Sequence, residues 1–138
     1  MGNIIESYQL EGKEEMFSRL LIYTKKSRKM MESKSVSKDI ADGLLACRPK
    51  RRSIKLEQIL NSVLDKYSDG VTIKDIDVLF NPEYEVDVLK ILISARKRKN
   101  FSVIWPGEYK DGKLRYGEEG YPDYKVFNIL DYDITYVK

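Results

Sequence analysis

Between residues 17 and 105 the chain alternates short apolar runs with stretches whose apolar residues recur at helical spacing, and few folds accommodate that alternation. Leu20-Leu21-Ile22-Tyr23 is an apolar run bounded by polar residues, as a strand buried on both faces requires. It predicts a first strand over 17–23. Leu56, Ile59, Leu60, Val63, Leu64 and Tyr67 then recur at i, i+3, i+4, i+7, i+8 and i+11. That stripe marks an amphipathic helix, with Ser53 as its N-cap and Asp69-Gly70 at its end. β-Branched and aromatic residues over 71–80 predict a strand that meets Asn81-Pro82. The proline ring disfavours helix at 81 but suits the first helical position at 82. A helix over 82–97 buries Val88, Leu89, Leu92 and Ala95, and Arg96-Lys97-Arg98-Lys99 supply cations favoured at a helix C-terminus. A strand over 101–105 follows. Strands alternating with helices predict an α/β fold, a mainly parallel sheet flanked by helices and joined by right-handed crossovers.

The flanks of this body are less regular. A short helix is expected over 3–15, a second over 26–33, a weak strand at Ser35-Val36-Ser37 and a helix over 38–46. Beyond residue 105, Lys110-Asp111-Gly112-Lys113 is a two-residue turn signal for a hairpin. Tyr124 to Phe127 and Ile134 to Val137 then read as further strands of a β-rich C-terminal extension. Without repeats or linker-like composition, residues 1–138 are expected to form one domain. Its parts are an N-terminal helix to 16, a body over 17–105 and the extension over 106–138.

Histidine is absent from the chain, which removes Ser-His-Asp triads, Cys-His nucleophiles and imidazole acid–base chemistry. A single cysteine, Cys47, can form no internal disulfide, and without histidine the usual zinc ligand sets cannot be assembled. No catalytic, cofactor or metal residue is therefore assigned. The N-terminal apolar run breaks at Glu6, so neither a signal peptide nor a spanning helix is expected. The expectation is a cytoplasmic protein with no membrane partner.

The loop after the first strand of an α/β body is where phosphate-binding proteins place a glycine-rich turn, because backbone N–H groups and a helix dipole there cradle an anion. Here that loop reads Thr24-Lys25-Lys26-Ser27-Arg28-Lys29, without glycine, and Met30-Met31 stand where Lys-Ser/Thr would follow. An acidic residue ending the second long strand would hold magnesium. In the expected register that place falls on Lys74, with Asp75 and Asp77 close by.

Three basic runs, 25–29, 48–55 and 96–99, hold 13 of the 25 cations. Lys25, Lys26, Arg28, Lys29, Arg48, Lys50, Arg51 and Arg52 are accordingly candidate contacts for nucleic acid or an acidic partner. In a parallel sheet the first and third runs fall at opposite edges, so one groove lined by all three is not expected. Six of the ten tyrosines lie after residue 108. Since residues 101–138 carry 5 basic and 7 acidic groups, this segment suits a protein partner better than a nucleic acid. Trp105, Tyr109, Tyr116, Tyr121 and Tyr124 are the candidate interface residues.

Ile76-Asp77-Val78-Leu79-Phe80-Asn81-Pro82, Lys99-Asn100, Trp105-Pro106-Gly107, Gly112-Lys113-Leu114-Arg115-Tyr116 and Gly120-Tyr121-Pro122-Asp123-Tyr124 together resemble the BrxF family, small P-loop proteins of type 3 BREX phage-exclusion systems. The last two segments look like that family's Gly-x-Leu-x-Tyr and Gly-x-Pro-x-Tyr pattern. The resemblance covers most of 17–138 and implies a P-loop-NTPase-like fold with a degenerate phosphate loop. It also implies a partner among other defence-system proteins. Neither nucleotide motif is kept, so no nucleotide-site residue is carried over. The expected function is a non-catalytic subunit of an antiphage defence complex, acting through protein–protein contacts. A nucleic-acid module using 25–29 and 48–55 to bind DNA is the alternative, and an ATP- or GTP-binding protein with a non-standard loop a weaker one. Self-association stays open.

Overall fold

A computed structural model describes residues 1–10, 12–13 and 18–138. Six short strands form an all-parallel sheet: β1 (Asn3–Ile5), β2 (Leu20–Tyr23), β3 (Lys34–Ser35), β4 (Val71–Lys74), β5 (Phe101–Ile104) and β9 (Ile134–Val137), in the order β1-β9-β2-β5-β4-β3. Three others, β6 (Glu108–Lys110), β7 (Lys113–Tyr116) and β8 (Lys125–Asn128), form a small antiparallel sheet. The helices are α1 (Ser7–Leu10), α2 (Lys29–Glu32), α3 (Ser37–Leu45), α4 (Arg52–Leu64) and α5 (Val88–Arg98).

The apolar run of β2 forms the centre of this arrangement because both of its faces are covered. Leu20 and Ile22 enter the main core, while Leu21 and Tyr23 enter a smaller cluster on the other face. The main face is thick. Ile40 and Leu44 of α3, Leu56 and Leu60 of α4, Leu89 and Leu92 of α5, and Leu114 and Phe127 of the small sheet all pack there. Each fully buried side chain of this kind contributes roughly 1.5–3 kcal/mol relative to exposure. Among the described residues, the opposite face carries only Leu10 and Met30 from the short helices α1 and α2.

Several expectations are corrected. Residues 3–5 are an edge strand rather than the start of a helix, paired with β9 in the register Asn3↔Thr135 and fixed by a Thr135 Oγ1–Asn3 Oδ1 hydrogen bond of 2.7 Å. Ser7–Leu10 of the remaining predicted helix is helical, as α1, while its residues 11, 14 and 15, and Phe17 of the first strand, lie outside the described residues. The strand expected over 71–80 stops at Lys74 because Asp75 turns into the left-handed region, φ 60°. Residues 77–80 then form a 3-10 turn that buries Leu79 and Phe80, so apolar composition there reflects burial and not extension.

Asn81 does act as a cap, accepting from the Glu83 N–H at 3.0 Å, but of the 3-10 turn Pro82–Tyr84. Glu85, at φ 48°, ends that turn. The long helix begins six residues later than expected, with Asp87 Oδ1 accepting from the Lys90 N–H. Ser53 caps nothing, since a 3-10 turn over Pro49–Arg51 already leads into α4.

The hairpin forms as its turn chemistry requires, with Asp111 and Gly112 both at positive φ, 51° and 77°, between β6 and β7. The last strand is placed differently. Ile134–Val137 belongs not to a separate extension but to the large sheet, between β1 and β2. The chain from 106 to 133 therefore crosses the main face before returning. Trp105 Nε1 donates to the Arg115 carbonyl at 2.9 Å and anchors the small sheet. Gly107 is obligatory at this crossing, because a Cβ there would lie 1.7 Å from that same oxygen. Among the described residues no helix is long and apolar enough to cross a membrane.

Candidate functional site

Because the sheet is parallel, Tyr23, Lys74 and Ile104 end their strands at one edge, and the loop after β2 leaves from the middle of it. An anion held there would need backbone N–H groups. The loop and α2 have used five of them. Ser27 N donates to the Thr24 carbonyl at 3.0 Å, Met30 N to the Ser27 carbonyl and Met31 N to the Arg28 carbonyl. Lys26 N and Lys29 N turn to the Thr24 and Ser27 hydroxyl oxygens. The following helix, α2, is a single turn, too short to build an appreciable dipole. What remains at this position is side-chain charge, with Lys25, Lys26 and Arg28 exposed.

Lys74 does end β4, and its carbonyl accepts from Val36 N at 3.1 Å. Asp77 Oδ2 accepts from the Tyr116 hydroxyl at 3.0 Å and so serves the packing of the small sheet. Among the described residues no group of three histidine, cysteine, aspartate or glutamate side chains is placed to hold a metal ion.

The basic runs divide among three places, except that Lys29 of the first and Arg96 of the third meet at one cavity. The 25–29 loop leads through α2 onto the thin face, where Met30 packs. Lys29 is half-buried, pairs with Glu32 at 3.0 Å, and lines a cavity of about 120 Å³ with Arg19 and Arg96 above the hydrogen-bonded Thr72 and Ser102 hydroxyls. The 48–55 run joins α3 to α4 on the thick face. The third run is at the opposite sheet edge, before β5. There Arg98 grips the Asp65 carboxylate at 2.6 and 2.7 Å, holding it below its usual pKa range, and Lys99 donates to the Tyr67 carbonyl.

Within the 48–55 run the cations differ. Arg52 Nε donates to the Leu44 carbonyl at 2.8 Å and ties the end of α3 to the start of α4, so it is a structural residue. Lys55 bonds the Gln58 side chain. Arg48, Lys50 and Arg51 are exposed, and among the described residues none of them has an ion-pair partner. Leu45, 71% exposed, closes α3 beside them, and Ile54, 74% exposed, opens α4. Sequence reasoning missed these two. The signal was present for Ile54, which lies about 200° around the helix from Leu56 and so falls off the buried stripe.

Of the aromatic candidates, Trp105 is corrected. Trp105 is 1% exposed and meets Phe80 and Phe127 edge-on, so it cannot face a partner. Tyr116 stacks on Phe80 with ring centroids 3.9 Å apart, and Tyr109 stacks on Tyr136. Burial and the Asp77 carboxylate push the Tyr116 phenol well above its ordinary pKa. Burial and Asp87, whose Oδ2 accepts from the Tyr132 hydroxyl at 2.6 Å, do the same for Tyr132. Tyr121 is exposed, and Tyr124 is half-buried, as Tyr109 and Tyr116 are. The inward turn of Trp105, Tyr109 and Tyr116 follows from β9, whose return to the large sheet folds the segment onto the core.

No protein-family model, curated protein or solved structure matches this chain.

Proposed function

We propose that the chain is a non-catalytic, cytoplasmic subunit of a BREX-like antiphage defence complex, built on a degenerate P-loop-like sheet and acting through protein–protein contacts. The observation that carries the non-catalytic reading is the loop after β2. Its amides at 26, 27, 29, 30 and 31 are bonded within the loop and α2, and no glycine lets the backbone wrap a phosphate. Lys74 at the end of β4 adds a positive charge where a magnesium ligand would stand. Counted from β2 along the body, the strands lie in the order fifth, first, fourth, third, second. That order supports the P-loop-like reading, since it opens a crevice beside the first strand where such domains hold ligands. The defence context comes from the resemblance of the 76–82 and 99–124 segments.

Two measurements test this. Magnesium with ATP or GTP should leave the melting temperature unchanged, because a ligand that binds only the folded state raises it. A nucleotide shift that Lys29→Ala removes would overturn the reading. The tagged chain, expressed with its genomic neighbours, should recover one of them in fixed proportion. The DNA-binding alternative has runs 25–29 and 48–55 on opposite faces of the sheet against it. It predicts affinity for duplex DNA that falls steeply with salt.

A further inference from the structure

We propose that the groove between α3 and α4, with the basic corner at its end, docks a segment of a partner protein that carries apolar side chains followed by carboxylates. The inference rests on the partner-subunit reading above and names the chemistry of the contact. The groove has a volume of about 490 Å³ and is lined by Gly43, Cys47, Ile59, Ser62 and Val63 among others. Gly43 sets its depth, because a Cβ there would lie 2.7 Å from Ile59 Cγ2 and push the helices apart. Ile59 and Val63 give it an apolar floor.

The two ends of the groove differ in charge. At one end the carboxylates are matched, with Asp42 paired to Lys38 at 3.0 Å and Asp39 to Lys66 at 3.9 Å. At the other, Cys47 and Lys55 lead onto Arg48, Lys50 and Arg51, which have no carboxylate partner among the described residues. Arg52 ties this corner to the end of α3, and Pro49 opens its 3-10 turn. Leu45 and Ile54 stand exposed within it. A phosphodiester backbone would use the cations but leave the apolar floor and these two side chains uncovered. A membrane surface would need a longer apolar stripe than two side chains provide. A protein segment with apolar residues in the groove and acidic ones over the corner satisfies both halves.

The test uses the full chain and a fluorescein-labelled peptide that alternates pairs of leucine and glutamate, read by anisotropy. Binding should weaken at least about tenfold, or about 1.4 kcal/mol, in Arg48→Glu/Arg51→Glu and in Ser62→Trp, which fills the groove from an exposed position. Lys25→Glu/Lys26→Glu should leave it unchanged. Equal binding of a peptide with serine for leucine, or indifference to both corner and groove variants, overturns the proposal. So does tighter corner-dependent binding of duplex DNA or of phosphatidylserine vesicles. In the complex with co-expressed neighbours, alkylation of Cys47, the chain's single cysteine, should slow at least about tenfold, a gain in protection the corner variant loses. Unchanged alkylation with neighbours still recovered removes the groove but keeps the subunit reading. Recovery of no neighbour removes the subunit reading itself.

Discussion

Trp105, Tyr109 and Tyr116 in the C-terminal third, and Leu45 and Ile54 at the α3–α4 corner, are all large side chains of the kind that make interfaces. Trp105 is buried edge-on to Phe80 and Phe127 and the two tyrosines are stacked on inner rings, whereas Leu45 and Ile54 project into solvent beside cations that have no carboxylate partner among the described residues. Topology makes the difference. The C-terminal segment must cross the thick face to deliver β9 between β1 and β2, and its aromatic residues are what it lays on the core. Among the described residues no further layer covers Leu45 and Ile54 at the corner. An aromatic-rich segment thus marks packing here, and the proposed binding surface is where apolar area and charge are left uncovered.

The contrast should be largest in stability. Trp105→Ala should cost about 3–5 kcal/mol in urea unfolding, by loss of apolar contact and a cavity between the sheets, whereas Leu45→Ala or Ile54→Ala should stay within about 0.5 kcal/mol. A costly Ile54→Ala would mean that the corner is packed after all. Arg52→Ala should lower stability by about 1–3 kcal/mol, since it leaves the half-buried Leu44 carbonyl without its charged donor. Its neighbour Arg51→Ala should do nothing measurable to folding. A charge-reversal test of the corner must therefore spare Arg52.

Tyr132→Phe should cost about 1 kcal/mol near neutral pH, and should also change the alkaline limb. Burial and Asp87 raise the Tyr132 phenol above its ordinary 10.0, as burial and Asp77 do for Tyr116. A group whose folded pKa is raised stabilises fully below its unfolded value and loses that contribution as pH rises through the folded one. Stability should therefore decline above about pH 10, and less steeply in Tyr116→Phe/Tyr132→Phe. The smallest effect belongs to Asp65, exposed and held below the usual range by Arg98. Its contribution is present above the unfolded value near 3.8 and lost as pH falls below it. Asp65→Asn should only flatten the acid limb of a pH–stability curve.

Much of the fold was legible because burial on both faces leaves a signature in composition. Leu20–Tyr23, Phe101–Ile104 and the Leu56-to-Leu64 stripe were identifiable from it. Ile134–Val137 carried the same signature, but a strand's period says nothing about its neighbours, and its pairing with β2 is a long-range fact. Residues 76–80 misled for the converse reason, since a buried 3-10 turn selects the same side chains as a buried strand. At the candidate site, the missing glycines and the place of Lys74 could be read from the chain. That Arg52 turns inward to Leu44 while Arg51 faces solvent could not, because adjacent loop cations differ only in the backbone that presents them.

The most direct test compares the two regions in one experiment, the recovery of co-expressed neighbours by the tagged chain carrying Arg48→Glu/Arg51→Glu or Tyr121→Ala/Tyr124→Ala. The corner variant should fold with an unchanged melting temperature and lose its neighbours, while the tyrosine variant keeps them. Retention by the corner variant together with loss by the tyrosine variant would place the interface on the C-terminal segment and contradict the assignment.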